Sequence, residues 1–212
     1  MPISKIPDAT IKRLSLYNKQ LRRLVDENID IVRSKELADL LSLTSTQVRK
    51  DLSYFGKFGR RKKGYDVKLL LSSLCKILGV ASDNRIALFG AGNLGRALLG
   101  YKGFSERGFC IEAIFDADPE KIGKNFFGKI CMPVSDAEKI LGEKDIKIAI
   151  IAVPDDAVDS VVDIVVRSGV KSILNFTPRR LQVNNDVMVR SVDFTDKLEQ
   201  LSYFSRHPMD NK

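Results

Sequence analysis

Apolar residues in the first eighty positions recur at helical spacing. Ile11, Leu14, Tyr17, Leu21, Leu24 and Val25 mark one face of a helix over residues 8–28, and Lys12, Arg13, Lys19, Arg22 and Arg23 cover the other. Ser34 is a good N-cap and predicts a short second helix over Lys35–Leu41. In the stretch SLTSTQVRKDLSYFG, Thr44 and Gln47 have the spacing of a capping box, which predicts a third helix from about Ser45 to Tyr54. Val48, Leu52 and Phe55 then face inward, leaving Ser45, Thr46, Gln47, Arg49, Lys50 and Ser53 largely outward. Three small helices with a tight connection before a polar, cationic third one spell a helix-turn-helix. The next stretch, KFGRRKKGYDV, sets four cations, Arg60, Arg61, Lys62 and Lys63, between Gly59 and Gly64. Phe58, Tyr65 and Val67 anchor its ends, so it reads as a β-hairpin wing rather than a solvated charge run. Asp66 can cap a further helix that runs through Leu78.

After the polar ASDNR at 81–85 the pattern changes. Near-continuous apolar strands (RIALFG, CIEAIFD, KICMPV, IKIAIIAV, KSILNF and VMVRSV) are separated by helical stretches, among them SDAEKILG, where Ser135 and Glu138 suggest another capping box. This alternation predicts an α/β doubly wound parallel sheet of Rossmann type. A last helix over roughly Thr195–Ser205 places Leu198, Leu201 and Phe204 on one face. The expected division is a winged-helix domain over 1–80, a nucleotide-binding domain over 81–192 and a C-terminal helix over 193–212.

Composition sharpens this division. The chain of 212 residues is 44% hydrophobic, enough for two modest cores, and its net charge of +8 lies in the first 80 residues. A basic first module suits an anionic polymer. No run has the length and purity of a membrane span and no leader-like segment opens the chain, so the expectation is a cytoplasmic protein. Cys75, Cys110 and Cys131 are few, scattered and odd in number, as reduced thiols would be. With His207 as the single histidine, neither a metal site nor a histidine-based catalytic site is expected.

Gly90-Ala91-Gly92-Asn93-Leu94-Gly95 is G-x-G-x-x-G placed directly after an apolar strand and opening a helix. Asp116 ends the next strand 21 residues past the last glycine, where a carboxylate meets a ribose hydroxyl. Bare N–H groups and a helix N-terminus suit a pyrophosphate. Acidic Asp116, followed by Asp118, would repel a 2′-phosphate, which favours NAD(H) over NADP(H). Alternatively, Asp116 caps a helix beginning around Pro119.

The two halves together resemble the Rex family of redox-sensing transcriptional repressors. The resemblance rests on Gln47-Val48-Arg49-Lys50-Asp51-Leu52-Ser53-Tyr54-Phe55-Gly56, on Phe58-Gly59 through Gly64-Tyr65, on the glycine turn, and on Phe115-Asp116 with Asp118-Pro119. It continues through Ile173-Leu174-Asn175-Phe176 and Val192-Asp193-Phe194. It implies a homodimer whose C-terminal helix swaps onto the partner, which binds a palindromic double-stranded operator when NADH is low and leaves it when NADH binds. The expected DNA-binding residues are Ser45, Thr46, Gln47, Arg49, Lys50, Tyr54, Arg60, Arg61, Lys62 and Lys63. The expected cofactor site holds NADH, with NAD+ competing, and comprises Gly90, Ala91, Gly92, Asn93, Leu94, Gly95, Arg96, Tyr101, Asp116, Asp118, Val153, Pro154, Asn175, Asp193 and Phe194. The resemblance further implies a switch in which Asp193 of one subunit alternates between Tyr101 and Lys19 of the other.

Two alternatives stand beside this reading. A dehydrogenase with a DNA-binding head would need a proton-relay set that is not recognisable here, so no enzyme is expected. The second half also resembles CoA-binding domains, and Arg179 and Arg180 could serve a phosphate there. Within the wing, Arg61 matches the family arginine, but Lys62 stands where relatives have glycine. Lys62→Gly is expected to lower non-specific DNA binding more than operator binding, because each phosphate neutralised steepens the salt dependence by up to ~0.9. Equal losses in parallel salt titrations of the two DNAs would refute it.

Overall fold

The computed structural model describes residues 6–59 and 63–207. It divides into two compact units that meet in sequence at Ser82 and Asp83. In the first unit, α1 (Asp8–Asp26), α2 (Ser34–Asp39), α3 (Ser45–Ser53) and α4 (Val67–Ile77) enclose one apolar core. Leu14, Tyr17 and Leu21 of α1, Leu37 of α2, Val48 of α3 and Leu70 and Leu74 of α4 are fully or almost fully buried in it. Ile11, expected on the buried face, is instead 37% exposed.

The caps explain where these helices start, with two corrections. Ser34 is not the N-cap of α2: Arg33 holds that position, and its N–H donates to the Glu36 carboxylate at 2.7 Å. Thr44 caps α3 by accepting from the Gln47 N–H at 3.1 Å, but the Gln47 side chain does not reach back. Its amide donates instead to Asp51 at 2.8 Å. Asp66 caps α4 through the Leu69 N–H at 2.8 Å, as expected.

The wing differs from the expected hairpin. Among the described residues Lys57 and Phe58 form no strand. The returning strand β2 (Tyr65–Asp66) pairs antiparallel with β1 (Ile31–Val32), an element the sequence pattern did not suggest. The base of the stretch is pinched by two glycines. A Cβ at Gly59 would sit 2.8 Å from the Gly64 carbonyl, and Gly64, at φ +83°, passes equally close to the Val32 carbonyl. Phe58 and Tyr65 pack on the core and anchor both ends. The cations at Arg60, Arg61 and Lys62 lie outside the described residues.

The second unit is a seven-stranded sheet in the order β5-β6-β4-β3-β7-β8-β9. Its strands are β3 (Asn84–Phe89), β4 (Phe109–Asp116), β5 (Asn125–Phe126), β6 (Lys129–Pro133), β7 (Ile148–Ile151), β8 (Ser172–Asn175) and β9 (Met188–Ser191). All pairings are parallel except the short β5–β6 hairpin, which was not anticipated. Without β5 this is the doubly wound order whose direction of winding reverses between β3 and β7. Ala87 and Phe89 face a core shared with α6 (Ala137–Glu143) and α7 (Val158–Arg167), while Ile86 and Leu88 face one shared with Leu98 and Leu99 of α5 (Asn93–Leu99). A strand buried on both faces must be apolar throughout, which is why these segments do not alternate. The Ser135–Glu138 box does not form: a short 3₁₀ turn over Val134–Asp136 precedes α6, and Glu138 pairs with Arg167. Among the described residues no helix is long and apolar enough to cross a membrane.

The polar centre of the first unit is Asp51, 0% exposed. Arg13 forks onto it with Nε at 2.6 Å from one oxygen and Nη2 at 2.8 Å from the other. The Tyr17 hydroxyl donates at 2.7 Å and the Thr10 hydroxyl at 3.1 Å. Burial pushes the Asp51 carboxyl up, but hydrogen bonds from Arg13, Tyr17 and Gln47 outweigh it and hold it below the usual carboxylate range. Its stabilising contribution is therefore complete above the unfolded-chain value of about 4 and lost as pH falls through the lower folded value. Arg13→Ala leaves the carboxylate buried without its cation, and urea unfolding at pH 7 should show a loss of about 3–5 kcal/mol. The stability gap between wild type and Asp51→Asn should shrink as pH drops below about 4. A gap independent of pH would show that folding leaves the Asp51 carboxyl unshifted, and a gap that widens as pH drops would show that it is held neutral.

Candidate functional site

Two surfaces collect the residues expected to meet ligands. On the first unit, α3 presents Thr46, Arg49 and Lys50 to solvent, with Ser45 and Gln47 half-buried beside them. Arg49 is not a free cation: its guanidinium donates to Ser34 Oγ at 3.2 Å and Thr46 Oγ1 at 3.1 Å, tying the start of α2 to the start of α3. Gln47 has its amide nitrogen committed to Asp51, leaving Oε1 as its outward group. A groove of about 480 Å³ runs between α2, α3 and the base of the wing. Arg33, Lys35, Arg49 and Lys57 line it, with Ser34 and Ser53. Of these, Arg33, Lys35 and Lys57 were not singled out from sequence, because they come from two segments, the start of α2 and the stretch after α3, that only folding brings together. Tyr54 is half-buried at the end of α3. Clustered cations around a polar helix face can position a polyanion and leave the helix to read it.

On the second unit, the glycine turn lies at the carboxyl end of β3, beside the point where the winding of the sheet reverses. Its three glycines differ in what surrounds them. A Cβ at Gly90 (φ +100°) would run into the Ala152 carbonyl after β7, and one at Gly95 would strike the Gly90 carbonyl. At Gly92 it would meet nothing within 4 Å. The first and third glycines thus allow strand, turn and α5 to close on one another, and the second leaves bare backbone facing open space. That is the room a pyrophosphate needs beside the N–H groups that open a helix.

Asp116 is buried, and its partners differ from those expected. One carboxylate oxygen accepts the Ala91 N–H of the turn at 2.7 Å, the other the Asp118 N–H at 2.9 Å. Lys121 lies 3.2 Å from Asp116 and 3.3 Å from Asp118. Burial pushes the Asp116 carboxyl up, while the Asp118 and Ala91 N–H groups and Lys121 together bring it below its ordinary value. No helix begins at Pro119, so Asp116 caps none: it cross-links β4 to the turn. Sequence reasoning missed Lys121, although an acid five positions before a lysine was visible.

Val153 and the exposed Pro154 follow β7 at the same end of the sheet, and Arg96 is exposed on α5, donating to Asn93 Oδ1 at 2.8 Å. Leu94 is half-buried in the same turn. Asn175 is fully buried, and both ends of its amide are occupied. Nδ2 donates to the Thr177 and Arg179 carbonyls and to Ser191 Oγ, while Oδ1 accepts from Thr177 N–H and hydroxyl. It shapes the loop after β8 from behind rather than offering a free group. Arg179 donates to the Asp155 carbonyl and pairs with Asp159 at 3.0 Å, fastening that loop to the one after β7.

Tyr101 is exposed, its ring lying over Gly103 and edge-on to Phe104 at 5.1 Å. Asp193 caps α8 (Phe194–Arg206) by accepting the Thr195 N–H at 2.7 Å, and no hydrogen bond joins it to Tyr101 among the described residues. Phe194 rests 6.3 Å from Phe176 but stays 61% exposed. Lys19 is exposed on α1. Within one chain, then, the glycine turn, Asp116, Asp118, Val153 and Pro154 converge, and Tyr101 and Asp193 do not meet.

Residues 5–53 match the family described as putative DNA-binding protein N-terminus, and residues 81–179 the family described as CoA binding domain. The redox-sensing transcriptional repressor Rex of Syntrophomonas wolfei is 47% identical over 96% of this chain and 97% of its own length. The chain belongs to the Rex family. The Rex repressor of Carboxydothermus hydrogenoformans is also 47% identical, over 94% of this chain and 96% of its own. Among solved structures, the Rex-family repressor RSP in complex with β-NAD+ and operator DNA matches with a TM-score of 0.90 at 35% identity, covering 95% of this chain and 93% of that one. RSP in complex with β-NADH matches at 0.86 and 33% identity, over 96% and 95%. The Rex family is one of regulators, which sets aside the dehydrogenase alternative.

The unequal surroundings of the glycines give a direct test. Gly95→Ala should destabilise the second unit by about 1–3 kcal/mol through overpacking against backbone. Gly92→Ala should leave stability within about 0.5 kcal/mol and still weaken NADH binding, since its methyl enters only the open space. Thermal unfolding and NADH titration of both variants check this. Equal unfolding losses would mean that the turn has no ligand-facing glycine.

Proposed function

We propose that this chain is a homodimeric DNA-binding transcriptional repressor that senses the NADH/NAD+ balance, holding a palindromic operator when NADH is low and releasing it when NADH binds. The observation that carries the reading is the union, in one chain, of a cation-lined α3 and a glycine turn whose Gly92 faces open space. Support comes from the Rex relatives, which match both halves. RSP has been captured with NAD+ and operator DNA together, and with NADH.

On the DNA side, Ser45, Thr46, Gln47, Lys50 and Tyr54 would lie against the major groove, with Arg49 held toward the backbone by Ser34 and Thr46. The wing cations Arg60, Arg61, Lys62 and Lys63 would grip the flanking groove, and two copies of α3 must stand ~34–36 Å apart, or a multiple, to read two half-sites. On the cofactor side, Gly90 to Gly95 with Arg96 would bind the pyrophosphate, with Val153 and Pro154 flanking it. Asp116 and Asp118 carry one more charge than Lys121 cancels, which disfavours a 2′-phosphate and so NADPH. Tyr101 and the partner's Asp193 and Phe194 would close the nicotinamide end, with Lys19 as the alternative partner of Asp193. A closed aromatic pocket disfavours the cationic ring of NAD+ by ~1.4 kcal/mol for each tenfold of discrimination. The dimer is supported by α8, whose Phe194, Leu198, Leu201 and Phe204 are 49–64% exposed in a single chain.

Operator binding titrated with NADH, NAD+ and NADPH at fixed salt tests the reading. Release by NADH at concentrations where NAD+ and NADPH have no effect is expected. Indifference to all three would remove the sensing role and leave the DNA-binding one.

A further inference from the structure

The Asp51 cluster does more than satisfy a buried charge. Of the four described residues that bond to its carboxylate, Thr10, Arg13 and Tyr17 belong to α1 and Gln47 to α3. Every cross-helix bond between these two helices at this point ends on a single side chain of α3. Apolar packing, here Val48 and Leu52 in the common core, is non-directional and sets no particular rotation of a helix. A carboxylate held by a planar fork, a phenol and a hydroxyl sets one, because each bond is directional and both oxygens are occupied. The rotation of α3 about its own axis, which decides how Thr46, Arg49 and Lys50 meet a groove, is therefore referred to α1.

We propose that Asp51 is a positioning residue that makes α1 and α3 move as one body, so that a signal received on α1 is delivered to the DNA-reading face of α3. The inference rests on the function proposed above, in which Lys19 of the same α1 takes part in the switch. Asp51 itself, with no exposed surface, touches no DNA and no cofactor. Its effect on operator choice is exerted entirely through the angle of α3. Tyr17 is equally buried and is the cleanest cross-helix bond to delete, since Tyr17→Phe keeps the ring and removes only the hydroxyl.

The test compares wild type, Asp51→Asn and Tyr17→Phe as full-length chains. Three quantities are read: NADH affinity without DNA, operator Kd without NADH, and operator Kd at saturating NADH. NADH affinity should stay within twofold of wild type in both variants. The ratio of the two operator constants should fall at least threefold in Tyr17→Phe and further in Asp51→Asn. If Asp51→Asn fails to fold, Tyr17→Phe decides alone. A purely structural role predicts that both operator constants weaken by the same factor; an unchanged ratio in Tyr17→Phe would overturn the proposal. A wild-type chain whose operator binding ignores NADH would instead overturn the sensing function on which the proposal rests.

Discussion

A carboxylate withdrawn from water must be answered bond for bond, and each unit of this chain is organised around one that has been. The effective cost of removing an ion from solvent is several kcal/mol, which only good geometry and full hydrogen bonding repay. In the first unit Asp51 gathers donors from two helices, and in the second Asp116 gathers two backbone N–H groups and Lys121. Both carboxyls end below their ordinary range despite burial, because the bonds to the charged form outweigh desolvation. Neither is placed for its own sake. Asp51 ties α3 to α1, and Asp116 ties the glycine turn to β4.

Much of this organisation was legible in the sequence, because the signals were local. Helical spacing in α1, the Thr44 and Asp66 caps and the two-faced strands around the glycine turn each depend on neighbours a few positions away. What escaped depends on distant partners. Asp51 sits in QVRKDL like any acid on a polar helix, and nothing nearby announces that Thr10, Arg13 and Tyr17 converge on it. Its position three residues after Val48 and one before Leu52, inside the apolar stripe, was the available clue. The same competition explains Gln47, whose amide has a buried carboxylate within reach and abandons the capping box. The two-residue strands β1 and β2 are too short to show alternation, and the Ser135 box failed because a 3₁₀ turn took its place.

The candidate sites follow the same rule. Gly90, Gly92 and Gly95 were visible as a motif, but their unequal duties were not. Only the packed backbone separates the two that close the fold from the one that faces outward. Asn175 shows the converse: expected at the ligand, it braces the loop after β8 with every amide atom engaged. Lys121 joined the site through salt links to both Asp116 and Asp118.

The exposed face of α8 has a bearing on the cell. A 13-residue helix is at the margin of what forms alone in water, and this one has no buried residue within its own chain. If a second copy covers it, as the proposed dimer requires, its order is bought by association and therefore depends on protomer concentration. Asp193, proposed for the switch, and Phe194, proposed for the cofactor pocket, stand at the start of that helix. The abundance of the protein then becomes an input beside the redox state: a cell that lets the repressor run scarce would lose the sensor's grip on cofactor before it lost the fold of either unit.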